Sequence, residues 1–302
     1  MVNIYENVDH NKRMSALVVA LFVVFVVGTV YVFSRALGYG LDVVGIALIF
    51  SGISSYISYY YSDKIILGLS GAREASRKQD FHFYTVVENL ALAARMPKPK
   101  LYVIDDTAMN AFATGRDPEH AVVCATTGLL QKLNRTELEG VFAHELSHIR
   151  NYDIRLMSIV TVLVGVIALL ADWFFRAAYW GRRGRDSNRE NSQLQALFFV
   201  VGLLLAMLSP IIAQLIQLAV SRRREFLADA SGVALTKYPD GLVSALKKLQ
   251  HDKEPLEAAN KATAHLYIVN PLRNNKDARH WFAGLFNTHP PVEDRIQALQ
   301  SM

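Results

Sequence analysis

Four long stretches almost free of charged side chains, 15–33, 43–61, 158–175 and 194–220, constrain what this chain can fold into more than any other feature. About 20 apolar residues in helical form suffice to cross a bilayer. The first stretch follows Lys12 and Arg13, but it outlasts the apolar core of a signal peptide and no small-residue cleavage site comes after it, so it reads as an uncleaved anchor. The second ends in Tyr56, Tyr59, Tyr60 and Tyr61, rings suited to a membrane interface, and closes a hairpin with the first. The third carries Asp172 near Trp173 and Trp180, and the fourth holds Pro210, Gln214 and Gln217, which imply a kink and a partly polar face. Up to four transmembrane helices are therefore expected. With 52% hydrophobic and 20% charged residues over 302 positions, a disordered chain and a purely soluble domain are both excluded.

What remains outside the apolar stretches is large enough for one hydrophobic core. The expected organisation is an N-terminal transmembrane hairpin (1–62), the first half of a catalytic domain (63–157), a second apolar hairpin (158–220) and the second half of that domain (221–302). The formal charge of +5 fits an anionic lipid surface rather than nucleic acid, because Lys12, Arg13, Arg35, Lys64, Arg73, Arg77 and Lys78 flank the early spans. The same residues set the amino terminus and the soluble part in the cytoplasm. Arg176, Arg182, Arg183, Arg185 and Arg189 oppose a double crossing by the later segments, which leaves a re-entrant hairpin open as the other possibility. The single cysteine, Cys124, rules out an intrachain disulfide and a cysteine-based zinc cluster, and reads as a small buried apolar residue.

Within the soluble part, apolar spacing predicts a helix over 80–95 and short strands over 101–104 and 121–125. A further helix is expected to start at Thr136, capped by Thr136 and Glu139, and it carries His144, Glu145 and His148. A spacing of four stacks the two imidazoles on one face, where a single cation can take two nitrogen ligands, and Glu145, about 100° round the helix, can reach a water beside it. A catalytic zinc usually takes a third protein ligand and keeps one position open. Glu225 suits that place, with Asp229 one turn further on to accept a ring proton from a metal-bound histidine; the competing assignment pairs Glu225 with Arg222 or Arg223 on the surface. His82, His120, His265 and His280 are read as surface or satisfied core residues. The triplet Asn134, Arg135, Thr136 is a formal glycosylation site, made inert by its place at a helix cap on the cytoplasmic side.

The run VFAHELSH over 141–148, EFLAD over 225–229 and the apolar hairpin between them resemble the HtpX family of membrane-embedded zinc endopeptidases, over nearly the whole chain. That resemblance implies an α+β, mostly helical, zincin-like (gluzincin) catalytic domain at the cytoplasmic face of a bacterial or archaeal inner membrane, distantly related to the CAAX prenyl proteases. It implies hydrolysis of misfolded or damaged membrane proteins as a quality-control activity. It makes His144, His148 and Glu225 the ligands of one zinc ion and Glu145 the catalytic carboxylate. Asn110, Ala111, Phe112 and Ala113 resemble a stretch along the family's cleft, whose edge strand takes an extended peptide. Thr288, His289, Pro290 and Pro291 with Arg295 resemble a second signature, in which His289 and Arg295 help hold the developing oxyanion. Cobalt and manganese accept the same ligands. An intramembrane protease is disfavoured by Arg135, Glu137, Glu139, Arg150, Asn151 and Asp153 around the motif. A non-catalytic membrane scaffold, its metal closed by His265 or His289 as a fourth ligand, is the alternative from another class. Oligomeric state is not readable from the sequence.

Overall fold

The computed structural model describes residues 4–37, 42–163, 222–258, 263–269 and 290–302, with the single positions 165 and 271. Two long helices, α1 (Ile4–Leu37) and α2 (Asp42–Leu69), pack on each other. Within α1, Val8–Gly28 is the one stretch among the described residues long and apolar enough to cross a membrane. The pair turns Val18, Phe22 and Ile66 inward and leaves Leu17, Leu21, Val24, Ile46, Ile49 and Phe50 exposed, an exterior suited to lipid rather than water. The second expected span falls in α2, where Ser51, Ser55 and Ser58 are buried and Ser58 Oγ donates to the Ile159 carbonyl at 3.2 Å. Of the four expected crossings one is thus seen. Most of the third and all of the fourth lie outside the described residues.

A four-stranded sheet carries the rest: β1 (Arg73–Glu74), β2 (Lys100–Ile104), β3 (Ala111–Thr114) and β4 (Val122–Thr126), in the order β1-β2-β4-β3. Strands β2 and β4 are parallel and the other two pairings antiparallel, so the sheet is mixed. Every residue of β4 is buried, because both faces of the sheet are covered, and its sequence is accordingly a continuous Val-Val-Cys-Ala-Thr run rather than an alternation. Val103, Ala113, Val123 and Ala125 pack into a core with α3 (Phe81–Ala93) and with Leu138, Val141, Phe142 and Leu146 of the helix that follows the sheet. Phe112, Val122 and Cys124 face the other way, onto Val18, Phe22 and Ile66 of the long helices and Leu156 and Ile159 of α6 (153–163). The apolar hairpin thus closes one face of the catalytic sheet.

Between the strands and the site run α4 (Thr127–Lys132) and α5 (Arg135–Arg150). Helix α5 begins earlier than its sequence suggests. Asn134 is the N-cap, its side chain accepting from Glu137 N at 3.0 Å while Asn134 N donates to Glu137 Oε2 at 2.8 Å, so the capping pair is Asn134 and Glu137, not Thr136 and Glu139. Asn is as good an N-cap as Thr. The earlier start also turns Glu137 toward α8 (Pro239–His251), where Ser244 Oγ and Lys248 Nζ each donate to it at 2.7 Å. Helices α7 (Arg222–Thr236) and α9 (Val292–Gln300) complete the described fold.

Helix α5 can sit this deep only because Gly140 has no side chain. A Cβ there would stand 2.6 Å from Leu242 N and 2.8 Å from its Cα, backbone atoms that cannot rotate aside. Gly140→Ala is therefore expected to lower the thermal midpoint of the full-length protein, because overpacking of about 1–3 kcal/mol outweighs the helix-propensity gain of about 1 kcal/mol.

Candidate metal centre

Helix α5 presents His144 and His148 one turn apart, their rings edge-to-face at 4.7 Å and their Nε2 atoms 3.2 Å from each other. Helix α7 brings Glu225, with Oε2 3.7 Å from His144 Nε2 and Oε1 3.5 Å from His148 Nε2. All three side chains are buried, and they form a group able to hold a metal ion. Glu225, Asp229 and Gly232 recur at helical spacing, so one face of α7 carries both carboxylates and the gap that lets them in. A Cβ at Gly232 would lie 3.1 Å from His144 N, which measures how closely the two helices approach.

The outer nitrogens decide the chemistry. Asp229 Oδ1 lies 2.8 Å from His144 Nδ1, and Asp153 Oδ2 lies 2.9 Å from His148 Nδ1. Each carboxylate accepts an Nδ1–H, which turns both Nε2 atoms toward one another and toward a third acceptor beyond. Such a cluster calls for positive charge inside it, a metal ion or, without one, a proton on His148. Two nitrogens bound tetrahedrally at about 2.0–2.1 Å from a zinc ion stand about 3.3 Å apart, close to the spacing observed. Asp153 has no periodic signal in the sequence, since it lies past the end of α5, and there it counts only as a charge that argues against membrane depth.

Arg295 on α9 is fully buried. Its Nε and Nη2 donate to the two Asp229 oxygens at 2.9 and 2.7 Å, and Nη1 donates to the Ile268 carbonyl at 3.2 Å and lies 3.7 Å from Glu225 Oε2. Its guanidinium thus stands on the Nδ1 side of His144, spent on Asp229. His289 lies outside the described residues. Strand β3 borders the site, and Ala113, Met157, Leu266 and Ile268 line a small cavity with His144, Glu145, His148 and Glu225. The outer edge of β3 is not bare at its start. Ile268 N donates to the Ala111 carbonyl at 3.0 Å, Asn110 Nδ2 donates to the Val269 carbonyl at 2.9 Å, and Tyr267 stacks edge-to-face on Phe112 at 5.0 Å.

Burial raises Glu145 above the ordinary carboxylate range, and the charges of His144, His148 and Arg295 draw it only part of the way back, which suits a group that must take up a proton. Burial opposes a charge on His148, yet its hydrogen bond to Asp153 and the carboxylates of Glu225, Asp153 and Glu145 outweigh that and lift it to about 9. Asp229 goes the other way: burial would raise it, but Arg295 and His144 hold it down at about 2.

All of these side chains fall within residues 77–302, which match the family model of peptidase family M48. The chain belongs to peptidase family M48. The M48 chain is 44% identical over 300 residues to the protease HtpX homolog of Dictyoglomus turgidum, covering 99% of this chain and 94% of that one. It is 42% identical over 299 residues to the protease HtpX homolog of Caldanaerobacter subterraneus, covering 99% and 98%. The crystal structure of S. mikatae Ste24p aligns with 97% of this chain and 66% of that one, at 18% identity and a TM-score of 0.48. This M48 member is accordingly a peptidase, with the His144, His148 and Glu225 group as its candidate metal centre.

The Asp229 carboxylate, about 2 in the fold against about 3.9 in an unfolded chain, stabilises the metal-free protein above pH ~4, and that contribution is lost as pH falls through about 2. Asp229→Asn, which strands Arg295, is expected to cost about 3–5 kcal/mol at neutral pH. The gap to wild type should narrow as pH is lowered from 4 toward 2, read by chemical denaturation of metal-free protein.

Proposed function

We propose that this M48 peptidase is a zinc-dependent endopeptidase that cleaves misfolded or damaged membrane proteins, working at the cytoplasmic face of an inner membrane crossed by its own helices. The observation that carries the metal is the convergence of two Nε2 atoms and the Glu225 carboxylate, each ring fixed from behind by a carboxylate. His144, His148 and Glu225 would hold the ion, while Asp229 and Asp153 keep the two rings in their tautomers. When bound, zinc supplies Lewis-acid polarisation of a peptide carbonyl and acidifies a water, from about 15.7 toward 7. Glu145 takes the proton of the attacking water and returns it to the leaving amine. Its raised affinity for a proton supports that role. Arg295 acts behind the ligands, fixing Asp229 and through it His144, and His289, by its place in the family signature, is assigned to the developing oxyanion.

The substrate backbone would run along the edge of β3 toward Ala113, taking the place that Ile268 now holds at Ala111. Membrane proteins as substrates, and the lipid bilayer as the setting, are supported by the exposed apolar side of α1 and α2 and by the packing of those helices on the sheet that borders the site. Nucleic acid has no part in this reading; the basic residues are assigned to lipid. A structural site closed by His265 is disfavoured, because His265 lies against Thr161 Oγ1 at 2.9 Å and is not among the converging ligands of the described residues; His289, the other fourth ligand named for a scaffold, lies outside them.

Glu145→Gln is expected to bind the same amount of zinc as wild type and to lose hydrolysis of an unfolded membrane protein by orders of magnitude; equal hydrolysis in both would overturn the assignment. Removal of metal with a chelator should abolish cleavage and zinc should restore it. For the topology, cysteine labelling within 176–192 from either side of intact membranes decides between two crossings, expected to label from the far side, and a re-entrant hairpin.

A further inference from the structure

Asn11 lies on α1 near the start of Val8–Gly28 and one turn before the uncharged run 15–33, where a polar side chain would ordinarily face lipid headgroups. It is instead 1% exposed, and its amide is engaged on every side by distant parts of the chain. Its Nδ2 donates to the Asn151 carbonyl at 2.8 Å and to Asp153 Oδ1 at 2.7 Å, and its Oδ1 accepts from Arg224 Nη1 at 2.9 Å. These three partners sit at the joints of the metal centre. Asn151 caps the helix that carries both histidines. Asp153 uses its other oxygen to hold His148 Nδ1. Arg224 precedes Glu225 on α7 and also stands 3.7 Å from Asp153 Oδ1.

We propose that Asn11 is a positioning residue of the metal centre: from the anchor helix it fixes Asp153, and so the ring of His148, and it fixes Arg224, and so the stretch of α7 that delivers Glu225. The anchor is then part of the catalytic unit and not only its tether. The inference rests on the metal reading given above. It goes beyond that reading because Asn11 touches neither ion nor substrate and acts through two residues that do the orienting. The physical reason is economy of freedom: a carboxylate with one oxygen on an imidazole can still swing about its own χ angles until a donor fixes the second oxygen, and only Asn11 Nδ2 donates to Asp153 Oδ1 within hydrogen-bond distance among the described residues.

The test uses the full-length protein in detergent micelles, with zinc alone as the probe and its dissociation constant measured by competition with a chelator. Asn11→Leu, similar in volume but without the amide, is expected to weaken zinc binding about 10–100-fold and to lower kcat with little change in KM. Asn11→Asp sets two carboxylates against each other and is expected to be at least as damaging. Asn11→Asp combined with Asp153→Asn restores a donor and an acceptor between the two positions and keeps an oxygen for His148 Nδ1, while the Asn151 carbonyl still faces a carboxylate, so it should recover part of the affinity lost by Asn11→Asp. A merely structural Asn11 would lower the thermal midpoint of the metal-free variants while zinc affinity stayed within about twofold of wild type and the double variant gave no recovery; that pattern overturns the proposal. If Asn11→Leu fails to fold, the comparison of Asn11→Asp with the double variant decides alone, recovery supporting the proposal and no recovery overturning it. Wild type without zinc overturns the metal centre and this inference together, whereas wild type with zinc and an unaffected Asn11→Leu overturns this inference only.

Discussion

Everything around the site follows from holding the Nε2 atoms of two imidazoles 3.2 Å from each other. In water the two rings would turn apart or one would take a proton. Here the first escape is closed, because Asp229 and Asp153 hold the two Nδ1 atoms from opposite sides and both rings are buried among packed neighbours. The second is taken by His148, lifted to about 9, so the metal-free site keeps a proton where a metal ion would sit. A metal centre of this kind is preorganised by its second layer of contacts more than by its ligands.

That layer is costly to build, since Asp229, Arg295, Glu225 and Glu145 are all ionisable groups withdrawn from water. The fold compensates by pairing them: Arg295 meets both Asp229 oxygens and approaches Glu225. Close helix approach makes the pairing reachable. Gly232 lets α7 lie against the backbone of His144, and Gly140 lets α5 lie against α8. The sheet on the other side of α5 supplies the rigid wall, and its second face is covered by helices that also offer an apolar surface outward.

Features with a period were legible before any coordinates. The spacing of His144 and His148, and of Glu225 and Asp229, places each pair on one helical face whatever the rest of the fold does. Strands β2 and β4 announce themselves by β-branched runs. The capping box was displaced by two residues because Thr136 and Asn134 are both acceptable caps, and only the reach of Glu137 to Lys248 and Ser244 chooses between them. Strand β1, of two residues, is too short to carry a pattern. Asn11 was invisible for a different reason: its meaning depends on contacts across 140 residues or more, which no local spacing encodes. Asp153 lies only five residues from His148, but past the end of α5, where helical spacing no longer applies. Arg295 was singled out through a family signature, but its commitment to Asp229 is a property of packing. The stretch Asn110 to Ala113, which the family resemblance sets along a peptide-binding cleft, is met at Ala111 by Ile268 of the same chain, a contact no local pattern announces.

The bidentate grip of Arg295 on Asp229 also orders events in time. Synthesis proceeds from Asn11 toward Arg295, so a nascent polypeptide emerging from the ribosome has its anchor, both histidines and Glu225 well before the guanidinium that holds Asp229 in place. Until that late codon is translated, the growing peptidase lacks the guanidinium that completes its centre.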